Sequence, residues 1–404
     1  MKAQIILILL TAGLIIPCLS ATPARAIPAF ARQYKTECKT CHTVFPERNE
    51  FGDAFEKNGF IWPGKVHSQP QVKTTLSPAE RQKAEAMYNS GLPEQLPVSL
   101  LAQHDVTYNS DAQPNFDLDA ETELEIFAAG NFRNQVGFWA EYNFEPDKTT
   151  GEIYLQLQQP YNLPFNVKLG EFKPKLSIWK ANDRPSLSKF GYNGMKVGNN
   201  DFEIAGEQGA VELNGVLGSR LFVAAGVTNG PDPKSANNGK DYYGHISVRI
   251  GGTDFLGKEP EVDLDHDSVW DYLTLTIGSF GYFGSNADGV NDFYRAGLES
   301  ETLYKRLRVR VSGIYGRDDD PSGTGVSVDS RFALAQVEYL IGSGLMPSMR
   351  FEFQDIDEEG ITRRYIPGIS YALLQNVRFA VEYLHETTPD ETIRETTGRV
   401  TFVF

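Results

Sequence analysis

The sequence predicts a mainly β protein: an antiparallel barrel of about sixteen membrane-crossing strands, with a small helical domain at its N-terminal end. Three observations predict it. From about Val98 onward, short stretches alternate apolar and polar residues between clusters of Gly, Asn, Asp and Pro, the period-two signature of strands. Many of these stretches approach the nine to eleven residues with which a tilted strand crosses a bilayer. The final Val400-Thr401-Phe402-Val403-Phe404, aromatic at its end and alternating before it, looks like the terminal signal of bacterial outer-membrane proteins.

The chain opens on an address. Lys2 precedes the apolar run Ile5 to Leu19, and Ala24-Arg25-Ala26 sets small residues at −3 and −1 for signal peptidase. Residues 1–26 therefore read as a secretory signal peptide. Pro17 stands where a lipobox would need a small residue, which argues against lipidation at Cys18. After Ala26 no run approaches the 18 or so apolar residues of a spanning helix. Removing the signal takes Lys2 and Arg25 and no acid, leaving 36 basic and 53 acidic residues and a formal charge of −17. Such a chain is not a nucleic-acid binder. Its acidity suits metal ions or basic electron carriers, or simply soluble loops.

The mature chain keeps two cysteines, in Cys38-Lys39-Thr40-Cys41-His42. An exported pair can form a disulfide, but two-residue spacing also suits a redox dithiol, half a zinc site or a c-type haem. No βαβ context supports a thioredoxin-like dithiol, and zinc would need two further ligands. A His directly after the second Cys selects haem attachment. Cys38 and Cys41 would bind the porphyrin edge through thioethers, and His42 would be the proximal iron ligand. Downstream, Pro46 suits an N-terminal helical turn, Phe51 and Phe55 share a helix face, and Gly59 suits the C′ position. Phe45, Phe60 and Trp62 add apolar cover. For the distal ligand, His67 is the preferred candidate and Met87 the alternative. Met87 falls on a second predicted helix with a capping box at Ser77, Pro78 and Glu80, ended by Gly91.

The barrel elements follow in order. Leu118, Ala120, Leu124, Ile126 and Ala128 alternate with Glu121, Glu123 and Glu125; Val136 to Phe144 follows after a turn. Ile153-Leu155-Leu157, Ile246-Val248-Ile250, Leu273-Leu275-Ile277 and Val377-Phe379-Val381-Tyr383 repeat the pattern. Leu307, Val309 and Val311 alternate with Arg306, Arg308 and Arg310. In a soluble sandwich the arginines would face water outside; in a membrane barrel they would face the lumen. Polar stretches at Arg317–Gly323 and Glu261–Asp267 read as long outer loops between tighter periplasmic turns. Alternation places His104 on the outer, apolar face and His245 in the lumen, where it is a remote candidate partner for a haem housed inside.

Ile27-Pro28-Ala29-Phe30-Ala31-Arg32-Gln33, the Cys-x-x-Cys-His motif, Phe45-Pro46, Phe51-Gly52, Phe55 and Asn58-Gly59-Phe60 together resemble the N-terminal signature of fused outer-membrane monohaem cytochrome-porins, known from iron-oxidising bacteria. Lys168 to Pro174 resembles, more weakly, a segment of phosphate-selective porins. The specific match covers roughly residues 27 to 60. The resemblance implies a location in the bacterial outer membrane and electron transfer across it. Extracellular Fe(II) is the donor in the best-known members, and a periplasmic cytochrome or other carrier is the partner inside. In that sense the chain would be an electron-transfer protein, an iron oxidase where ferrous iron is the donor.

The expected organisation is a signal peptide (1–26), a monohaem cytochrome c domain (27–70), a helical linker (71–97) and a porin-like barrel (98–404). Two rival functions use the same parts. One is a solute porin whose haem domain is a sensor or plug; the other is a periplasmic cytochrome joined to a β-sandwich.

Overall fold

The computed structural model describes residues 29–63, 97–118, 123–144, 151–230, 239–261, 266, 268–286 and 289–404. Among these, no helix is long and apolar enough to cross a membrane. The chain instead forms one closed antiparallel barrel of sixteen strands, with Phe116–Asp117 as a short extra ribbon on the first. Closure pairs the first strand, Val98–Asn109, with the last, Thr392–Val403. Phe404 completes the seam: its N–H donates to Leu100 O (2.8 Å) and its carbonyl accepts from Leu100 N (3.1 Å). A closed ladder leaves no edge, so the strands satisfy one another's backbone groups without water.

The wall is inside out relative to a soluble protein. In Ile153–Leu157 the apolar Ile153, Leu155 and Leu157 are exposed, while Tyr154 and Gln156 are buried. In the strand Leu307–Asp318, Val311 faces out (47% exposed), whereas Arg308 (5%) and Arg310 (1%) are enclosed. Ile246, Val248 and Ile250 face out while His245, Ser247 and Arg249 face in. The alternation thus resolves as expected, with the charged face lumenal and a broad apolar outer surface of the kind that lipid covers. His104 lies on the outer face, and His245 lies inside.

Two bodies fill the lumen. From the end of the barrel opposite the chain termini, residues 173–207 fold inward between the strands Asn166–Phe172 and Gln208–Leu217. Leu176, Ile178, Trp179, Phe190, Tyr192 and Phe202 pack there against wall residues Tyr282, Phe293, Phe332 and Leu334. At the terminal end sits the N-terminal domain. It comprises helix α1 (Ala29–Tyr34), a 3-10 turn (Cys38–Thr40), a hairpin of β1 (His42–Val44) and β2 (Glu47–Arg48), and helix α2 (Glu50–Lys57). This plug touches the wall on opposite sides. Ala29 N donates to Ser99 Oγ (2.7 Å), Arg249 Nη2 to Asp53 Oδ2 (2.9 Å), and Arg310 Nη1 pairs with Glu47 Oε1 (3.0 Å).

Three expectations are corrected or fall outside. The helix after the cysteine motif begins at Glu50, four residues beyond Pro46. Asn49 is its N-cap, because Asn49 Oδ1 accepts from Gly52 N (2.9 Å), while Pro46 belongs to the preceding hairpin turn. The described flanks of the Glu261–Asp267 stretch are not on the same side as Arg317–Gly323. The stretch belongs to a long connection, from Ile250 to Leu273, at the terminal end. That length has a use: Phe255 is enclosed beneath the plug, its carbonyl accepts from Asn58 Nδ2 (3.1 Å), and Arg249 stacks on its ring at 4.2 Å. The signal peptide, His67, Met87 and nearly all of the 71–97 linker lie outside the described residues.

Candidate functional site

The cysteine motif is held by its own sequence neighbours. Cys41 N donates to Cys38 O (3.1 Å), closing the turn that sets both thiols on one short stretch of backbone. Both cysteines are free and half-buried. Asn49 joins this turn to α2: its Nδ2 donates to Lys39 O (3.2 Å) and Thr40 O (3.0 Å), and its backbone N–H donates to Cys41 O (3.0 Å). One side chain therefore caps the helix and fixes the loop. Gly52 allows the close approach, since a Cβ there would lie 2.1 Å from the Cys41 carbonyl oxygen. At its other end α2 closes with a Schellman pair, Phe60 N to Phe55 O (3.0 Å) and Gly59 N to Glu56 O (2.9 Å), with Gly59 at φ +62° as expected of C′.

His42 starts the hairpin, and its Nδ1 meets the Pro46 carbonyl at 3.0 Å. A carbonyl can only accept, so the proton resides on Nδ1 and Nε2 carries the lone pair. That is the arrangement by which a metal-binding imidazole is oriented. Burial holds the His42 pKa below the usual histidine range, more than nearby Asp183 raises it, which keeps the ring neutral as a ligand must be. Burial likewise pushes both thiols up, Cys41 to about 11.

Aromatic rings surround the site. Phe30 meets Phe55 and Phe60 at 5.0 Å each, Tyr34 meets Trp62 at 5.1 Å, Phe51 meets Trp62 at 5.0 Å, and Phe45 lies edge-on to His42 at 5.2 Å. Phe60 continues the cluster into the wall by stacking on Trp139 (5.8 Å). Two thiols in one turn, a neutral imidazole oriented through Nδ1 and nearby aromatic rings suit a c-type haem, which Cys38, Cys41 and His42 would hold. The structure keeps those three together. His245 belongs elsewhere: its Nδ1 lies 2.8 Å from Leu176 O of the inserted segment, beside the Phe222 ring.

Sequence reasoning missed three participants. Asn49 was signalled, because Asn-Glu-Phe-Gly-Asp carries an N-cap residue with acids in the first turn. The contact between Cys38 N and Gln375 Oε1 (3.2 Å) joins residues 337 positions apart and left no local mark. The inward fold of residues 173–207 had a weak signal: Trp179, Phe190, Tyr192 and Phe202 are too apolar for a solvent loop and follow no strand period.

Comparison with known proteins bears on this architecture. No protein-family model and no curated protein matches the chain. Solved structures do. An anion-selective porin from Comamonas acidovorans aligns with TM-score 0.56 and 9% identity, over 77% of this chain and 99% of that one. A complex of OmpF from Salmonella typhi with daunomycin aligns with TM-score 0.55 and 11% identity, over 76% and 97%. A porin refined at 1.8 Å gives TM-score 0.51 and 14% identity, over 77% and 100%. The shared feature is the fold. At these identities it is a porin-like barrel, and the portion of this chain left over is about the size of its N-terminal region.

Proposed function

We propose that this chain is a bacterial outer-membrane protein that carries single electrons through one c-type haem held in the mouth of its barrel. The observation that carries the reading is the His42 imidazole, directly behind two free cysteines and oriented through Nδ1 by the Pro46 carbonyl, inside a barrel whose outer face is apolar. A haem bound there supplies one-electron exchange between ferrous and ferric iron. The residues' own work is to anchor it (Cys38, Cys41), ligate it (His42), fix the loop (Asn49) and exclude water (Phe45, Phe51, Phe55, Trp62). A hydrocarbon core about 30 Å thick is too wide for a haem on one surface to serve both sides. A site recessed in the lumen shortens that path between an extracellular donor, with Fe(II) the leading candidate, and a periplasmic cytochrome or similar carrier.

A second reading is a solute porin whose haem domain is a sensor or plug, and it is favoured by the porin-like fold with its inward-folded segment. Proteoliposomes separate the two. With an oxidised cytochrome c enclosed and ferrous iron outside, the conduit reading expects the enclosed cytochrome to become reduced while enclosed small solutes stay trapped. Solute release without reduction overturns it. The distal ligand is tested on the same protein: His67→Ala is expected to convert a low-spin spectrum to a five-coordinate or water-ligated one, and Met87→Ala to leave it unchanged. A near-infrared band typical of sulfur ligation in the ferric wild type would reverse that assignment to Met87.

A further inference from the structure

We propose that the stacked rings of Trp139 and Phe127 are the bridge by which an electron from outside crosses the lumen to the plug, an inference that rests on the conduit reading above. The rings form a continuous series. Tyr34 lies beside Cys41, its ring meets Phe55 at 5.5 Å, and Phe55 meets Phe60 at 5.9 Å. Phe60 then stacks on Trp139 of the wall (5.8 Å, 29° between planes), and Trp139 stacks on Phe127 of the neighbouring strand (5.6 Å, 11°). Such centroid separations, within roughly 4.5–7 Å, are contact distances for aromatic pairs. Phe127 stands opposite Glu141, with only Tyr142 and Asn143 beyond it in the strand Val136–Asn143. The series therefore starts at the cysteine motif, at the terminal end of the barrel, and reaches almost to the opposite end of this part of the wall.

Two observations single out this column. The Trp139 ring is fixed by more than packing, because its Nε1 donates to Glu141 Oε2 (3.0 Å) while the ring stacks on both Phe60 and Phe127. The aromatic core of the inserted segment offers no equivalent route. Trp179, Phe190 and Tyr192 meet one another and Phe332 (6.1, 5.6 and 5.3 Å), and among the described residues none of them meets a ring of the plug. Electron tunnelling decays more steeply across an open gap than across groups in contact, so the series with unbroken contacts couples the two sides more strongly. The step balances without chemistry at the rings. One electron leaves an external ferrous ion, which becomes ferric, and the ferric iron held by His42 becomes ferrous; no bond forms or breaks and no proton moves. Oxidising an indole or a phenyl ring would need far more driving force than a ferric haem supplies, so the rings mediate the transfer and hold no charge themselves.

The test uses the full haem-loaded chain in proteoliposomes, terminal end inside. Haem absorbance is followed after ferrous iron is added outside and, separately, after a light flash reduces an enclosed flavin. Phe127→Leu is the decisive variant: among the described residues its ring meets Trp139 and no ring of the plug, so its loss leaves docking of the plug alone. It is expected to slow reduction by external iron about tenfold and to leave reduction by the flavin, the haem spectrum and the midpoint potential as in the wild type. Trp139→Leu is expected to slow the external reaction at least as much, and Trp139→Phe, which keeps a ring in place, to restore most of the rate. An external rate unchanged in Phe127→Leu overturns the bridge. Equal slowing from both sides, or a shifted potential, reduces the rings to packing and overturns it too. Should Trp139→Leu fail to form a barrel, Phe127→Leu decides alone. A wild-type haem that the flavin reduces and external iron does not would sink the conduit reading itself, and the bridge with it.

Discussion

The inserted segment and the plug occupy the same lumen but are held by packing and charge in different proportions. Residues 173–207 share a continuous apolar core with the wall, in which Phe190, Tyr192 and Phe202 are each almost wholly enclosed. The plug shares a smaller apolar cluster with the wall, Phe55 and Phe60 packing with Tyr154, Phe172 and Ala210, and is tied in addition by charge: Asp53 to Arg249, Arg48 to Asp183 (2.9 Å), Glu56 to Lys180, and Glu47 to Arg308 and Arg310. Apolar packing is indifferent to partner identity and to pH, whereas buried ion pairs fail when one member is removed or neutralised. The segment is thus continuous with the core of the barrel, whereas the plug adds charged ties to a smaller apolar contact.

The largest expected effect separates the two bodies completely. Replacing Cys38 and Cys41 together by Ala should abolish covalent haem while the wall, which owes no backbone bond to it, still forms. Haem staining and heat-modifiable gel migration read the two properties on one sample, and a surviving c-type spectrum would overturn the assignment. Next, Asp53→Ala strands Arg249 and Lys57 in the lumen and should cost plug docking about 3–5 kcal/mol. The expected sign is rapid proteolysis within residues 29–63 while the wall persists. Phe202→Ala, of comparable expected size for a buried aromatic, roughly 3–5 kcal/mol, should lower barrel stability and leave the plug protected. If both variants loosen the same body, the distinction between them collapses.

Acid should act in the same direction as Asp53→Ala, but less. Burial alone would raise the carboxyls of Asp53, Glu56 and Asp183, and the cations beside them outweigh it, Lys57 and Arg249 for Asp53, Arg48 and Lys180 for Glu56, Arg48 and Arg310 for Asp183. All three therefore titrate below their unfolded values, near pH 4 for free carboxyls. Docking is fully supported above that pH and weakens as pH falls from about 4 toward the depressed values of the docked state. Protease sensitivity of the plug at pH 7 and at pH 3 tests this, and equal sensitivity at both would count against it. The smallest effect is local: Gly52→Ala should push α2 off the Cys41 carbonyl, costing about 1–3 kcal/mol. Lowered haem occupancy with unaltered barrel migration is the expected readout.

The wall was almost fully legible, because a strand facing lipid on one side and a packed lumen on the other writes its environment in every second residue. Arg308 and Arg310 told inside from outside once the barrel was assumed. Around the cysteine motif, the candidate haem-binding residues were proposed from their spacing, and the residues that hold the loop were legible only where they also obey a local rule. Asn49 caps a helix and could be read; Gln375 and Asp183 meet the plug across the lumen and could not. Residues 173–207 escaped because a chain that turns inward has neither strand period nor loop composition. Its aromatic content makes sense only when the opposite wall is known.

Closure of the seam between Val98–Asn109 and Thr392–Val403 has a consequence in time. The plug precedes the first strand in the chain, yet its contacts come from Ser99, Arg249, Arg308 and Gln375, spread over nearly the whole wall. The cradle is complete only after the last strand has been laid down, and by then the thiols are half enclosed. On the proposed reading, haem would have to be attached while the cysteines are still open, before the strands that follow close around the plug.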